Sequence, residues 1–237
     1  MLAGRYGRQV ADGLMSVSTA TLTSQLRKRG LDGCIFTNLR LLGRAERMVG
    51  FARTVRYLPL REDLFPARSA GLNAQKRAIE SLQPGEVLVI SARGVQDAGT
   101  IGDILAMRAA QLGAAGVVTD GAVRDLTAID SLDLPTFAAA HHPAPLGHRH
   151  VPWDTDVAVA CAGVLVEPGD LLVGDADGVV LLPEPLVAEL VSASLDQEDE
   201  ERYIADQVRS GASIDGLYPL NAEWRARYEA ARERDPS

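Results

Sequence analysis

Four residues near the middle of the chain have the types and spacing to do chemistry. Gly102-Asp103 opens a segment with helical spacing (Leu105, Ala109, Leu112), and Arg124-Asp125 follows with twenty residues between Asp103 and Arg124. The free N–H groups of a helix start, helped by the helix dipole, suit an anion. A planar guanidinium such as Arg124 can grip a carboxylate with two parallel hydrogen bonds. Asp125 is a hard-oxygen ligand of the kind Mg²⁺ or Mn²⁺ prefers. Asp103 can orient a water or move a proton. The same residues also fit a plainer arrangement, with Asp103 as a helix cap and Arg124 and Asp125 as a surface ion pair. Spacing by itself does not separate the two.

The elements that must position these residues are legible around them. Glu86–Ser91 is a continuous apolar run, the mark of a strand covered on both faces. Residues 104–112 read as a helix capped by Gly113, Ala115–Thr119 as a strand turned at Asp120-Gly121, 126–132 as a short helix, and Leu134–Ala138 as a strand. This β-α-β-α-β order suits parallel pairing, and both Gly102-Asp103 and Arg124-Asp125 then fall at the same sheet edge, where open α/β sheets place their sites. Upstream, a Ser18-capped helix runs to Gly30, Arg47–Tyr57 reads as a strand, and Leu72–Leu82 reads as a helix stopped by Pro84-Gly85. Downstream, Asp156–Ala160, Val164–Val166, Leu171–Val173 and Val179–Leu182 are short strands with tight turns, followed by a long helix from Leu186 to about Ser210.

This gives a domain over 18–211, an N-terminal arm over 1–17 and a C-terminal helical extension over 212–237. Residues 1–15 show no clear periodicity and read as a loose arm. In the extension, Trp224 and Tyr228 share one face of a charged helix (Ala222–Arg232) and are expected to pack on a neighbouring copy.

Composition sets the outer bounds. The 237 residues are 46% hydrophobic, enough for a real core, with a net charge of −8 that disfavours binding to nucleic-acid phosphates. The densest basic cluster, Gln25–Arg29, reads as a solvated helix end. No apolar run is long enough to span a membrane and no signal-peptide core is visible, so a cytoplasmic protein is expected. Cys34 and Cys161 are both flanked by apolar or small residues and read as buried structural thiols.

The stretch Gly102-Asp-Ile-Leu105 … Gly113-Ala-Ala-Gly-Val-Val-Thr-Asp-Gly-Ala-Val-Arg-Asp125 resembles the core of the RraA-like family, which includes the divalent-metal 4-hydroxy-4-methyl-2-oxoglutarate aldolases. Its Asp-x20-Arg-Asp pattern looks like the one that separates aldolase-competent members from the regulators of ribonuclease activity. Val49–Val55, Pro84–Val89, Leu134-Pro135, Gly163–Asp170 and Asp175–Val180 fall in the family's order, so the resemblance covers roughly residues 20–212.

The resemblance implies a phosphohistidine-swivelling-type α/β/β fold, assembled as a homotrimer or hexamer, with a pyruvate pocket between protomers. By position, Gly102, Asp103, Ile104 and Leu105 would form the substrate-binding loop. Arg124 would hold the pyruvyl carboxylate or keto oxygen, and Asp125 would anchor Mg²⁺ or Mn²⁺. Family aldolases also use a glutamate near the C-terminus that reaches the neighbouring protomer's metal waters. Counting back from Gly211 favours Glu201, with Glu198 and Glu200 as alternatives, against the plainer reading of a solvated acidic face. A retro-aldol cleavage, or decarboxylation of oxaloacetate, leaves charge on a pyruvate enolate oxygen, which a cation and Arg124 can stabilise without a lysine Schiff base. Lys28 and Lys76, the only lysines, lie far from the motif in sequence.

The expected activity is therefore a class II pyruvate aldolase and oxaloacetate decarboxylase acting on small keto acids. The alternatives are a non-catalytic regulator that binds a ribonuclease, and a related enzyme of sugar-acid or other keto-acid substrates. All four histidines (His141, His142, His148, His150) lie in one Pro- and Gly-containing segment. That segment reads as a loop, either structural, selecting the aldol acceptor, or binding a transition metal.

Overall fold

The computed structural model describes residues 2–234. Its helices are α1 (Leu2–Tyr6), α2 (Arg8–Ser16), α3 (Thr19–Lys28), α4 (Phe65–Ser69), α5 (Ala74–Glu80), α6 (Asp103–Gln111), α7 (Leu126–Ile129), α8 (Val187–Arg209) and α9 (Ala222–Arg234). Its strands are β1 (Arg40–Leu42), β2 (Met48–Pro59), β3 (Glu86–Ser91), β4 (Gly99–Ile101), β5 (Gly116–Val123), β6 (Thr136–His141), β7 (His150–Thr155), β8 (Val159–Cys161), β9 (Val164–Val166), β10 (Leu171–Asp175) and β11 (Gly178–Leu182).

One nine-stranded sheet organises the molecule, in the order β1-β6-β5-β3-β2-β10-β11, with β4 paired to β5 and β7 to β2. The central strands β2, β3, β5 and β6 run parallel. The end strands are nearly joined by a single segment: Ile35 bridges Val180 of β11, and Arg40–Leu42 then pair with β6. The sheet is thus close to a barrel, with β8-β9 as a separate hairpin.

β3 shows why its sequence is apolar throughout. Leu88 and Ile90 pack under α5, α6 and α7, while Val87 and Val89 pack on the opposite face with Phe36, Val159 and Val166. Both faces are dry, and each such side chain contributes about 1.5–3 kcal/mol on burial. A third cluster joins Leu14, Val17, Leu22 and Leu26 to Leu190 and Val191 of α8 and to β10 and β11.

Several expectations are corrected. Residues 2–16 are not loose: α1 and α2 pack on the body, with Leu14 and Val17 fully buried. Arg47 ties the end of this segment down through the Leu14 and Val17 carbonyls, while Asp175 accepts from the Thr19 N–H. Asp120-Gly121 is not a turn, because β5 continues to Val123. The Asp120 carboxylate accepts from the N–H groups of Ala92 (2.5 Å) and Gly94 (2.9 Å), which anchors the loop after β3. The histidine segment is not all loop, since His141 ends β6 and His150 begins β7. Cys161 is buried as expected, but Cys34 is only half-buried. The helix of the C-terminal extension folds back on its own chain: Tyr228 packs on Tyr203 at 5.4 Å and donates to Asp199, and Arg225 grips Glu200. Residue 1 and residues 235–237, which belong to the expected arm and extension, lie outside the described residues.

Candidate active site

The parallel order brings the two motifs together. β4 pairs with the end of β5, so Gly99–Ile101 lies beside Ala122 and Val123, and the Arg124 N–H donates to the Ile101 carbonyl at 2.9 Å. β4 is itself fixed from behind. The Thr100 carbonyl accepts from Tyr57 Oη (3.1 Å) and Gln75 Nε2 (2.6 Å), and the Thr100 hydroxyl donates to the Ala122 carbonyl.

The chain leaves β4 at Gly102, which is extended (φ −122°, ψ −178°), and α6 begins at Asp103. Asp103 Oδ1 accepts from the Ile104 N–H at 2.7 Å, so it does act within the first turn of its own helix. Ala106 and Ala109 bury the inner face of α6, whereas Ile104 (74% exposed) and Met107 (47% exposed) face outward.

Two glycines make room for the charged pair. A Cβ on Gly99 would fall 2.7 Å from Arg124 Cδ, and one on Gly102 would fall 2.7 Å from Asp125 Oδ2. Asp125 occupies the left-handed backbone region (φ 57°, ψ 45°), which Asp tolerates better than most residues and which concentrates at functional positions.

Arg124 and Asp125 do not pair with each other. Arg124 Nε is buried without a hydrogen-bond partner among the described residues, and Asp125 is exposed. The surface ion pair of the plainer reading is therefore absent. An unmatched guanidinium nitrogen and an exposed carboxylate, one residue apart, instead line a cleft of about 270 Å³ with Gly99–Leu105, Gln75 and Leu146. The donor set suits a hard divalent cation with a mostly aqueous shell: Asp125 is accessible, Asp103 lies on the same cleft, and no group of three or more His, Cys, Asp or Glu forms a closed cage among the described residues.

Arg124 and Asp125 also line a second cavity of about 200 Å³ with Val123, Leu126, His141, His142 and Pro143. His148 is exposed, and His150 is fully buried beside Tyr57 (5.7 Å), within 3.2 Å of the Arg93 guanidinium. Burial, with Arg93 adding to it, pushes the His150 imidazole down to about 4. The histidines therefore do not form one cluster.

Glu201 is not part of this cleft within one chain. It lies on α8, which packs on α2 and α3, and accepts from Gln197 at 2.9 Å. Of the alternatives, Glu198 accepts the Ser18 N–H and Glu200 is held by Arg225, so Glu201 is the least committed of the three. Gln75 is a cleft residue the sequence reading missed. Its signal was a polar residue on the buried face of α5, in register with Ala78 and Ile79.

A family profile described as RraA-like: Aldolase/RraA matches residues 19–181. The chain belongs to the RraA-like family. A Halalkalibacterium halodurans relative, provisionally named a 4-hydroxy-4-methyl-2-oxoglutarate aldolase, is 35% identical over 190 residues, spanning 75% of this chain and 82% of the relative. RraAS2 of Streptomyces coelicolor, described as an unusual member of the RNase ES inhibitor RraA family, superimposes with a TM-score of 0.74 at 33% identity, covering 82% of this chain and 94% of that one. An uncharacterised Pseudomonas syringae protein gives a TM-score of 0.75 at 28% identity, covering 89% and 96%. The mixed α/β architecture with C-terminal helices is thus that of RraA-like proteins. No helix among the described residues is long and apolar enough to cross a membrane.

Proposed function

We propose that the protein is a divalent-cation-dependent lyase that cleaves 4-hydroxy-2-oxo acids to pyruvate and also decarboxylates oxaloacetate. The observation that carries this reading is the pairing on one cleft of a buried Arg124 guanidinium nitrogen that has no hydrogen-bond partner among the described residues with the exposed Asp125 carboxylate. In this reading Arg124 binds the pyruvyl carboxylate or keto oxygen and stabilises negative charge as it develops there. The backbone of Gly102–Leu105 seats the same end of the substrate. Asp125, with Asp103 nearby, holds Mg²⁺ or Mn²⁺; when bound, such a cation supplies positive charge to an electron-rich oxygen. Asp103 holds a water or accepts a proton from the reacting hydroxyl.

The same proposal includes a homotrimer or hexamer in the cytoplasm, a swivelling-type classification of the fold, and Glu201 reaching the cleft of a neighbouring copy. Exposed Ile104 and Met107 beside the cleft support a covering subunit, because exposed apolar side chains at a site rim suit an interface.

The test is pyruvate release from a panel of 4-hydroxy-2-oxo acids and oxaloacetate, with and without Mg²⁺. Turnover that survives exhaustive EDTA treatment would exclude the cation-dependent mechanism. The Streptomyces relative favours a second reading, inhibition of a ribonuclease. Inhibition of a ribonuclease E-type enzyme with no pyruvate from any substrate would select it. Turnover only on other keto acids or sugar acids would select a related enzyme.

A further inference from the structure

The second cavity lined by Arg124 and Asp125 has one side chain whose hydrogen-bonding role is fixed by its surroundings. The Ala144 N–H donates to His142 Nδ1 at 3.1 Å. A backbone N–H can only donate, so Nδ1 must be an acceptor, and the neutral ring then carries its proton on Nε2. The wall holding this ring is tied at both ends to the site: the His142 N–H donates to the Val123 carbonyl, and the Ala144 carbonyl accepts from the Gly99 N–H, both at 2.9 Å. Pro143 between them removes backbone freedom. His142 is thus a pre-set donor in a cavity that shares Arg124 and Asp125 with the proposed pyruvate cleft.

Resting on the lyase reading, we infer that His142 is a specificity-determining residue that donates from Nε2 to the oxygen on C4 of a 4-hydroxy-2-oxo acid. In cleavage the C4 hydroxyl gives its proton to Asp103 or the water it holds, the C3–C4 electron pair moves toward C2 and its oxygen, C4 becomes a carbonyl, and the same proton is available to return at C3. The enolate then takes a proton at C3 to give pyruvate, so nothing is oxidised or reduced. Negative charge passes through the C4 oxygen, and a donor there lowers the barrier. Oxaloacetate behaves oppositely. Its C4 is a carboxylate that loses charge as it leaves as carbon dioxide, so a donor to it stabilises the ground state and gives no acceleration.

The two reactions therefore separate His142 from the shared pyruvate machinery. The full-length protein is assayed with Mg²⁺ on 4-hydroxy-4-methyl-2-oxoglutarate and on oxaloacetate, as wild type, His142→Ala and His142→Gln. The expected result is about a tenfold or greater loss of aldol cleavage in His142→Ala, with decarboxylation unchanged or faster, and partial recovery in His142→Gln, which keeps an N–H donor. Equal losses in both reactions, or aldol cleavage unaffected in His142→Ala, would overturn the assignment while leaving the lyase reading intact. A wild-type protein that releases pyruvate from neither substrate would overturn both.

Discussion

A Cβ on Gly99 would stand 2.7 Å from Cδ of Arg124 and closer still to its Cγ. The glycine is buried in β4 and is not in the left-handed region, so its role is space, not turn geometry. Gly99→Ala should push the Arg124 side chain off its path over the strand. We expect about a hundredfold or greater loss of turnover with a stability cost of about 1–3 kcal/mol, typical of overpacking. Steady-state kinetics and urea titration of the same preparation check both numbers. Wild-type turnover would mean that Arg124 need not sit where the structure holds it.

The charged residues should divide their labour. Arg124→Lys keeps the charge but loses the planar fork, and should still lose about 100- to 1000-fold in kcat/KM. Asp125→Ala should abolish activation by added Mg²⁺. Asp103→Asn should lower kcat more than it raises KM, because its proposed work is on the proton. Mg²⁺ titrations and kinetics of the three variants test this, and wild-type behaviour in all three would move the site elsewhere.

His150 predicts a pH dependence of stability. The folded protein keeps this imidazole neutral down to about 4, against 6.5 for an unconstrained histidine. The unfolded chain therefore binds a proton first as the solution is acidified. The stabilisation is complete above pH 6.5 and is lost as pH falls from 6.5 toward 4, by up to about 3 kcal/mol. Burial pushes the Asp120 carboxyl up instead, so acid relieves its cost and works in the opposite direction. Urea midpoints between pH 7.5 and 4.5 should fall for wild type and fall less for His150→Leu; identical slopes would show that His150 is not the titrating group.

Deleting residues 212–237 removes α9 from α8 and strips Tyr203 and Glu200 of their partners one turn or less from Glu201. We expect a lower melting temperature, weaker assembly by light scattering and reduced turnover together, with the main sheet retained by circular dichroism. A fully active monomer would contradict the shared-site proposal.

The parts of the fold that were legible in the sequence are those whose cause is local. Glu86–Ser91 is the β3 strand residue for residue, because burial on both faces writes a continuous apolar run. Ser18 accepts from the Thr21 N–H as a helix cap should. The continuation of β5 through Asp120 was not legible, because its support comes from N–H groups 26 and 28 residues away. β7 was hidden among histidines and prolines and is held by pairing with β2. α9 is legible as a helix, but that its Tyr228 is covered by Tyr203 of the same chain is not, since a Trp–Tyr stripe shows that a face is covered without showing by what. At the site, Asp103, Arg124 and Asp125 were named from the motif, while Gln75 and the His142 tautomer depend on contacts made only in the folded chain.

The segment from Ile35 to Leu42 that stitches β11 to β6 has a bearing on how copies of this protein meet. A row of unpaired backbone N–H and C=O groups at a sheet edge invites another chain to add a strand, the usual route to uncontrolled association. Here Ile35 bridges Val180 of β11, and the three-residue β1 covers the edge of β6, so the length of open ladder at each flank is cut short. Short, interrupted edges leave contacts between copies along these flanks chiefly to side chains, whose shapes and charges can specify a fixed number of partners, whereas a long open ladder would accept any extended peptide.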